Sequence, residues 1–150
     1  MRAATPADAP VIWQLLNDLA VYEKAPVFTL TEAEVARDML GGACHCELAF
    51  RDGEPVGIAT WFWIYMSFRA RRGLYLEDLF VRPQARGHGL GKMLLAHLAA
   101  KARAANGFME WRVLDWNEPA LAFYQGLGAK PVAQWLNYRL EGAALDRLGT

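Results

Sequence analysis

The run Leu74-Tyr75-Leu76-Glu77-Asp78-Leu79-Phe80-Val81-Arg82-Pro83-Gln84-Ala85-Arg86-Gly87-His88-Gly89-Leu90-Gly91-Lys92 decides the fold. Its first eight residues read as a strand from Leu74 to Val81, and Arg82-Pro83 stops it, because proline removes an amide donor and fixes its own backbone. A glycine-rich loop follows. Leu90, Leu94 and Leu98, with Met93 between them, then recur at helical spacing and carry a helix to about Ala105. A loop between a strand and a helix presents free backbone amides at the positive end of a helix dipole, and glycine lets the main chain approach an anion closely. A dinucleotide fingerprint needs a third glycine where Lys92 stands; a P-loop needs glycine at Arg86 and Ser or Thr at Met93. Both nucleotide readings fail.

Outward from this run, His45 to Arg51 and Val56 to Tyr65 flank the turn Asp52-Gly53 and predict an antiparallel hairpin. Towards the N-terminus, Thr5-Pro6-Ala7-Asp8 opens a helix with Ile12, Leu15, Leu16 and Leu19 on one face. Thr31-Glu32-Ala33-Glu34 is a second capping box, opening a shorter helix with Val35 and Met39 on one face. Towards the C-terminus, Phe108 to Leu114 reads as a strand. Asn117 then caps a helix that closes near Gly126 and Gly128, and a last strand is expected over 132–140. The order helix, helix, three strands, helix, strand, helix, strand predicts an α/β (α+β) fold: one domain over 1–150, a mixed sheet with helices on both faces.

Composition narrows the function classes. The 150 residues are 54% apolar, enough for a substantial core, and 16 Lys and Arg balance 16 Asp and Glu. A net charge of zero without a basic stripe argues against nucleic acid and anionic membrane as partners. The longest uncharged apolar stretch, Pro55 to Phe68, is shorter than the roughly 20 residues of a membrane helix. Met1 to Pro6 has no apolar signal-peptide core, so a cytoplasmic location is expected. Cys44 and Cys46 fit neither a Cys-x-x-Cys redox pair nor a zinc knuckle and are expected as reduced thiols; no metal is expected.

Arg86-Gly87-His88-Gly89-Leu90-Gly91 fits an Arg-x-x-Gly-x-Gly signature, and with it the chain resembles the GNAT superfamily of N-acetyltransferases. Three further blocks match in order: Leu19-Ala20-Val21-Tyr22-Glu23, Leu74 to Val81, and Trp116-Asn117-Glu118-Pro119-Ala120-Leu121-Ala122-Phe123-Tyr124. Within the superfamily the chain looks most like the spermidine/spermine (diamine) acetyltransferases and their bacterial homologues. The resemblance spans Ala4 to about Leu148.

It implies acetyl-CoA as cosubstrate, bound in a cleft between splayed central strands. Arg86, Gly87, His88, Gly89, Leu90, Gly91 and Lys92 would wrap its diphosphate. A bulge near Asp78 would free the amides of Leu79, Phe80 and Val81 for the pantetheine arm, and Asn117, Glu118, Pro119 and Ala120 would border the same ligand. It implies Tyr124 as proton donor to the leaving thiolate, Glu77 as the residue ordering a water path for the amine's proton, and Tyr22, Glu23, Glu77 and Asp78 as substrate contacts. The bulge also answers a parity problem, since Glu77 and Asp78 face opposite sides of a regular strand.

Each role has a plainer rival. Tyr124 alone would be a core tyrosine, Glu77 a strand-edge charge, Glu23 a solvated helix end and Asn117 only a cap. The six tryptophans, Trp135 among them, are expected in the core or at a subunit interface, and Arg69, Arg71 and Arg72 in a solvated loop. No Ser/His/Asp or Cys/His constellation suggests a covalent intermediate, so direct transfer to a small primary amine is expected.

Two departures from the family pattern matter. The loop before the central strand and the segment Trp135-Leu136-Asn137-Tyr138-Arg139 lack acids that polyamine enzymes carry, so a lysine-like amine is expected ahead of spermine. Few residues precede Thr5, which implies either a start later than the family's or a shortened edge strand. Relatives imply a homodimer. The competing readings are an acyl-CoA-binding regulatory module, against which Tyr124 and Glu77 both count, and acetylation of a protein amine.

Overall fold

Alternation along the second strand organises the molecule. In the computed structural model, which describes residues 1–132 and 136–149, this strand (β2, His45–Arg51) sends Cys46 and Leu48 to one face of a sheet and Glu47 to the other. On the first face lies α1 (Ala9–Tyr22), whose Ile12, Leu15, Leu16 and Leu19 pack with Val35, Leu48, Ile58 and Phe80. On the second lies α3 (Leu90–Ala104), which buries Leu94, Leu95, Leu98 and Ala102 and reaches Glu47 through His97 and Lys101. Helices therefore cover both faces, as the apolar spacing predicts.

The sheet runs β1 (Arg2–Ala3), β2, β3 (Glu54–Met66), β4 (Arg71–Val81) and β5 (Phe108–Trp111). The first four are antiparallel neighbours, and β5 joins β4 in parallel. The edge strand β1 is two residues long, paired Arg2 to Leu48 and Ala3 to Glu47. Asp52 and Gly53 turn the β2–β3 hairpin at φ of 52° and 84°, both in the left-handed region that a two-residue turn requires. Gly57 lets β3 lie close to β4: a Cβ there would meet Phe80 O at 3.1 Å and Val81 Cγ2 at 3.2 Å.

Several boundaries differ from expectation. A 3₁₀ turn over Pro6–Asp8 precedes α1, held by Asp8 Oδ2, which accepts from the Thr5 N–H at 2.7 Å. The helix expected after Thr31 is one α turn, α2 (Glu32–Glu34), followed by a wide π-type segment, Val35–Ala43, that breaks at Gly42 where φ is 128°. Val35 is buried and Met39 packs against the same cluster, so their shared face survives the change of pitch. Arg71 and Arg72 are strand residues rather than loop residues. Arg71 donates to the carbonyls of Asn106 and Gly107 at 3.2 and 3.1 Å, and the Arg72 guanidinium lies 5.9 Å from the Trp63 ring centre.

The chain divides into two compact units, Met1–Arg112 and Val113–Thr150. The second holds α4 (Glu118–Gly126) and α5 (Ala143–Leu148). The strand expected over 132–140 is not found among its described residues, 132 and 136–140; positions 133–135, Trp135 included, lie outside them. The strand expected to reach Leu114 ends at Trp111, where its pairing with β4 ends. Among the described residues, no helix is long and apolar enough to cross a membrane.

Candidate active site

The parity problem is resolved by a register shift in the central pair of strands. Thr60 faces Asp78 while the next residue, Trp61, faces Leu76, so Glu77 has no residue opposite it. One extra residue on β4 puts Leu76 and Asp78 on opposite faces although they stand two apart. Asp78 is thereby turned to the α1 face, where the Thr60 hydroxyl donates to its carboxylate. The same hydroxyl accepts from the Asp78 N–H at 3.1 Å. This closed loop of bonds fixes the carboxylate against the bulge.

The surroundings are acidic. Burial pushes the Asp78 carboxyl up to about 6, against the pull of the Thr60 hydroxyl, and the charges of Glu77 and Glu23 push the same way as burial. Glu23, which ends α1, is itself raised by burial. The Cys44 thiol senses both Asp78 and Glu77. Four of the residues expected at the acceptor side, Tyr22, Glu23, Glu77 and Asp78, are thus brought to one region of the first unit. Sequence reasoning missed Thr60 and Cys44. A lone hydroxyl within the apolar run Ile58-Ala59-Thr60-Trp61 was the available signal.

Cys44 is half-buried and Cys46 buried, and neither forms a disulfide. The hydrogen bond between the two thiols pulls Cys44 downward against the effect of burial, and the same bond, together with burial, pushes Cys46 upward. Among the described residues no group of three or more His, Cys, Asp or Glu is arranged to hold a metal ion.

Beyond the bulge, β4 loses one neighbour. Its parallel pairing with β5 covers only Gly73 to Leu76, so among the described residues Asp78 to Val81 pair with β3 alone. A strand flanked on one side leaves outward backbone groups to be satisfied by something other than sheet. A cleft of about 430 Å³ opens nearby between Asp18, Val21 and Tyr22 of α1 and Phe80, Arg82 and Pro83. Arg82 Nε donates to Asp18 Oδ2 across it at 2.9 Å.

The glycine loop adjoins this half-strand. Gly87 and Gly89 have φ of 79° and 75°, and a Cβ on either would meet nothing within 4 Å, so glycine serves conformation there and an open concave main chain results. Met93 N–H donates to Gly89 O at 2.9 Å as the first helical bond of α3, which leaves the amides of Leu90, Gly91 and Lys92 ahead of the ladder. Arg86 braces the loop: its Nε donates to Val81 O at 2.8 Å, and its guanidinium sits 4.6 Å from the Tyr22 ring centre. A half-strand paired on one side and a loop whose glycines stand in open space fit an elongated ligand that carries a diphosphate.

In the second unit, Asn117 caps α4 as expected, its Oδ1 accepting from the Ala120 N–H at 3.3 Å. Glu118, Pro119 and Ala120 form the first turn, and Tyr124 lies one turn further on beside Phe123, ring centres 5.4 Å apart.

A bulged central strand, a neighbour that parts from it and an amide-rich loop together define the architecture of an acyl-transfer fold. The chain belongs to the acetyltransferase (GNAT) family, whose profile matches residues 11–129, and it is an N-acetyltransferase of a family that uses acetyl-CoA. It is 33% identical over 148 residues to a thialysine N-epsilon-acetyltransferase of Caenorhabditis elegans, covering 95% of this chain and 92% of the relative. Against an L-ornithine N5-acetyltransferase of Arabidopsis thaliana it is 28% identical, over 99% of this chain and 86% of the relative. An integron cassette protein from the mobile metagenome of Vibrio cholerae has the same fold, with a TM-score of 0.82, 24% identity, and coverage of 99% of this chain and 95% of that one.

Proposed function

We propose that this protein transfers the acetyl group of acetyl-CoA directly to a small primary amine, and that an amino-acid-like amine such as a lysine analogue is preferred to a long polyamine. The carrying observation is the acidic group at the bulge: Glu23, Glu77 and Asp78 stand where β4 loses its neighbour, so an ammonium and a thioester can meet along one strand. The names of the nematode and plant relatives, both acting on amino-acid amines, support the preference.

An alkylamine with a pKa of about 10.4 arrives protonated and must lose its proton before it attacks. The acidic group attracts the ammonium form. Glu77 orders the water that carries the proton away, and Asp78, titrating near 6, is ionised at neutral pH and ready to accept one. Acetyl-CoA, when bound, supplies an acyl carbon activated by its thioester. The amides of Leu79, Phe80 and Val81 orient that arm, and those of Gly87 to Lys92 hold the diphosphate, with Asn117 to Ala120 bordering the ligand. As the new C–N bond forms and the C–S bond breaks, Tyr124 gives its phenolic proton to the departing sulfur. No metal takes part in this scheme. We assign the whole of 1–150 to one acetyltransferase domain, working as a cytoplasmic homodimer without nucleic-acid or membrane partners.

An acceptor screen that measures CoA release, run with wild type and Tyr124→Phe, tests the reading. The variant is expected to bind acetyl-CoA as wild type does and to lose roughly 100-fold or more in turnover. Unchanged turnover removes Tyr124 from the role. Higher kcat/KM for spermine than for a lysine analogue overturns the acceptor preference.

A further inference from the structure

One cation at the glycine loop lies outside every motif named above. Arg51 ends β2, far from the loop in sequence, yet its Nη1 is 3.2 Å from Nδ1 of His88. The same Nδ1 is 2.8 Å from the carbonyl oxygen of Arg86. A ring nitrogen carries either a proton or a lone pair, and neither choice satisfies both contacts. With the proton on Nδ1, His88 donates to Arg86 O, and two N–H donors then face each other at 3.2 Å. With the lone pair there, Arg51 finds an acceptor, but two acceptors oppose each other at 2.8 Å. The shorter contact selects the first arrangement, which leaves Arg51 Nη1 turned on a donor. The carboxylate of Asp52 lies 3.7 Å from Arg51 Nε, beyond hydrogen-bond length, and that side chain is 92% exposed. The Arg51 side chain is 41% exposed, so it can turn.

The Arg51 guanidinium therefore stands, without an acceptor at the loop, beside the residue that precedes Gly89 and the leading amides of α3, groups of the same polarity. What completes them is an anion with several oxygens, which a guanidinium binds in a forked geometry. We propose that Arg51 is a cosubstrate-binding residue that closes on a phosphate of acetyl-CoA, while His88 stays bonded to Arg86 O and holds the loop in shape. The proposal rests on the acetyl-CoA reading and adds to it a residue from a strand that carries no glycine motif. Diphosphate and ribose 3′-phosphate offer the same chemistry.

Calorimetry separates these cases with wild type, Arg51→Ala and Arg51→Lys, titrated with acetyl-CoA and with its analogue lacking the 3′-phosphate; equal melting temperatures establish that the variants fold. Arg51→Ala is expected to weaken acetyl-CoA binding about tenfold, and Arg51→Lys to recover part of the loss, as a single charge without the fork does. A loss that persists with the analogue assigns Arg51 to the diphosphate; a loss confined to acetyl-CoA assigns it to the 3′-phosphate. Dissociation constants of Arg51→Ala within twofold of wild type for both ligands overturn the role of Arg51 alone. Failure of wild type to bind either ligand overturns the acetyl-CoA reading and this proposal together.

Discussion

A buried carboxylate and a half-buried one occupy opposite faces of the same sheet and meet different company. Glu47, on the α3 face, has a side chain only 3% exposed, with His97 Nε2 at 3.4 Å and Lys101 Nζ at 3.3 Å. Asp78, on the α1 face, has a hydroxyl for a partner, and the charges acting on it, from Glu77 and Glu23, share its own sign. The chain completes the first carboxylate from within. It leaves the second with a negative surrounding that an incoming ammonium would neutralise. A buried charge that its own protein does not balance marks where a ligand of opposite charge belongs.

The contrast can be broken from either side. Asp78→Asn removes the charge without the shape, and kcat/KM for the amine is expected to fall about 100-fold while the dissociation constant for acetyl-CoA stays within twofold. On the other face, the double variant His97→Leu/Lys101→Met strips Glu47 of both partners; urea denaturation is expected to show a loss of about 3 kcal/mol.

Asp78→Asn should act on stability in the opposite sense. Its folded pKa of about 6 stands above the unfolded value, so the native state binds the extra proton between about pH 4 and 6 and loses stability as pH rises through that window. Above it, the substitution is expected to stabilise by about 3 kcal/mol, a gain that vanishes below about pH 3, where Asp78 is neutral in the folded and the unfolded state alike. Smaller again is Thr60→Val. Losing the hydroxyl that favours the ionised carboxylate is expected to move the acid limb of the kcat/KM profile upward by about one pH unit.

Much of this was legible in the residues. Helical spacing located α1 and α3, Asp52-Gly53 located the hairpin, and the family resemblance implied a bulge near Asp78 that also answers the parity conflict with Glu77. The partner that makes the bulge, the step from Thr60 to Trp61, belongs to the neighbouring strand, and cross-strand register is not carried by local pattern. The same gap explains the difference at 136–140. Leu136, Tyr138 and Leu140 alternate as a half-buried strand would, but alternation states only that a strand could form, and pairing supplies the ladder. Arg71 and Arg72 looked solvated because charge suggested a loop, yet Arg71 secures the carbonyls of Asn106 and Gly107 from within β4. Glu47 gave a weaker signal still: one acid in an alternating strand reads as solvent-facing until α3 brings His97 and Lys101 over it.

The central claim is that Asp78 awaits a cation. A carbon-13 NMR titration of its carboxyl group, in protein saturated with CoA, reads this directly. Without acceptor the group should titrate near pH 6, and with a saturating lysine analogue its midpoint should fall by a unit or more, about what a nearby opposite charge produces. An unmoved midpoint, under conditions where the amine is demonstrably bound, would contradict the account.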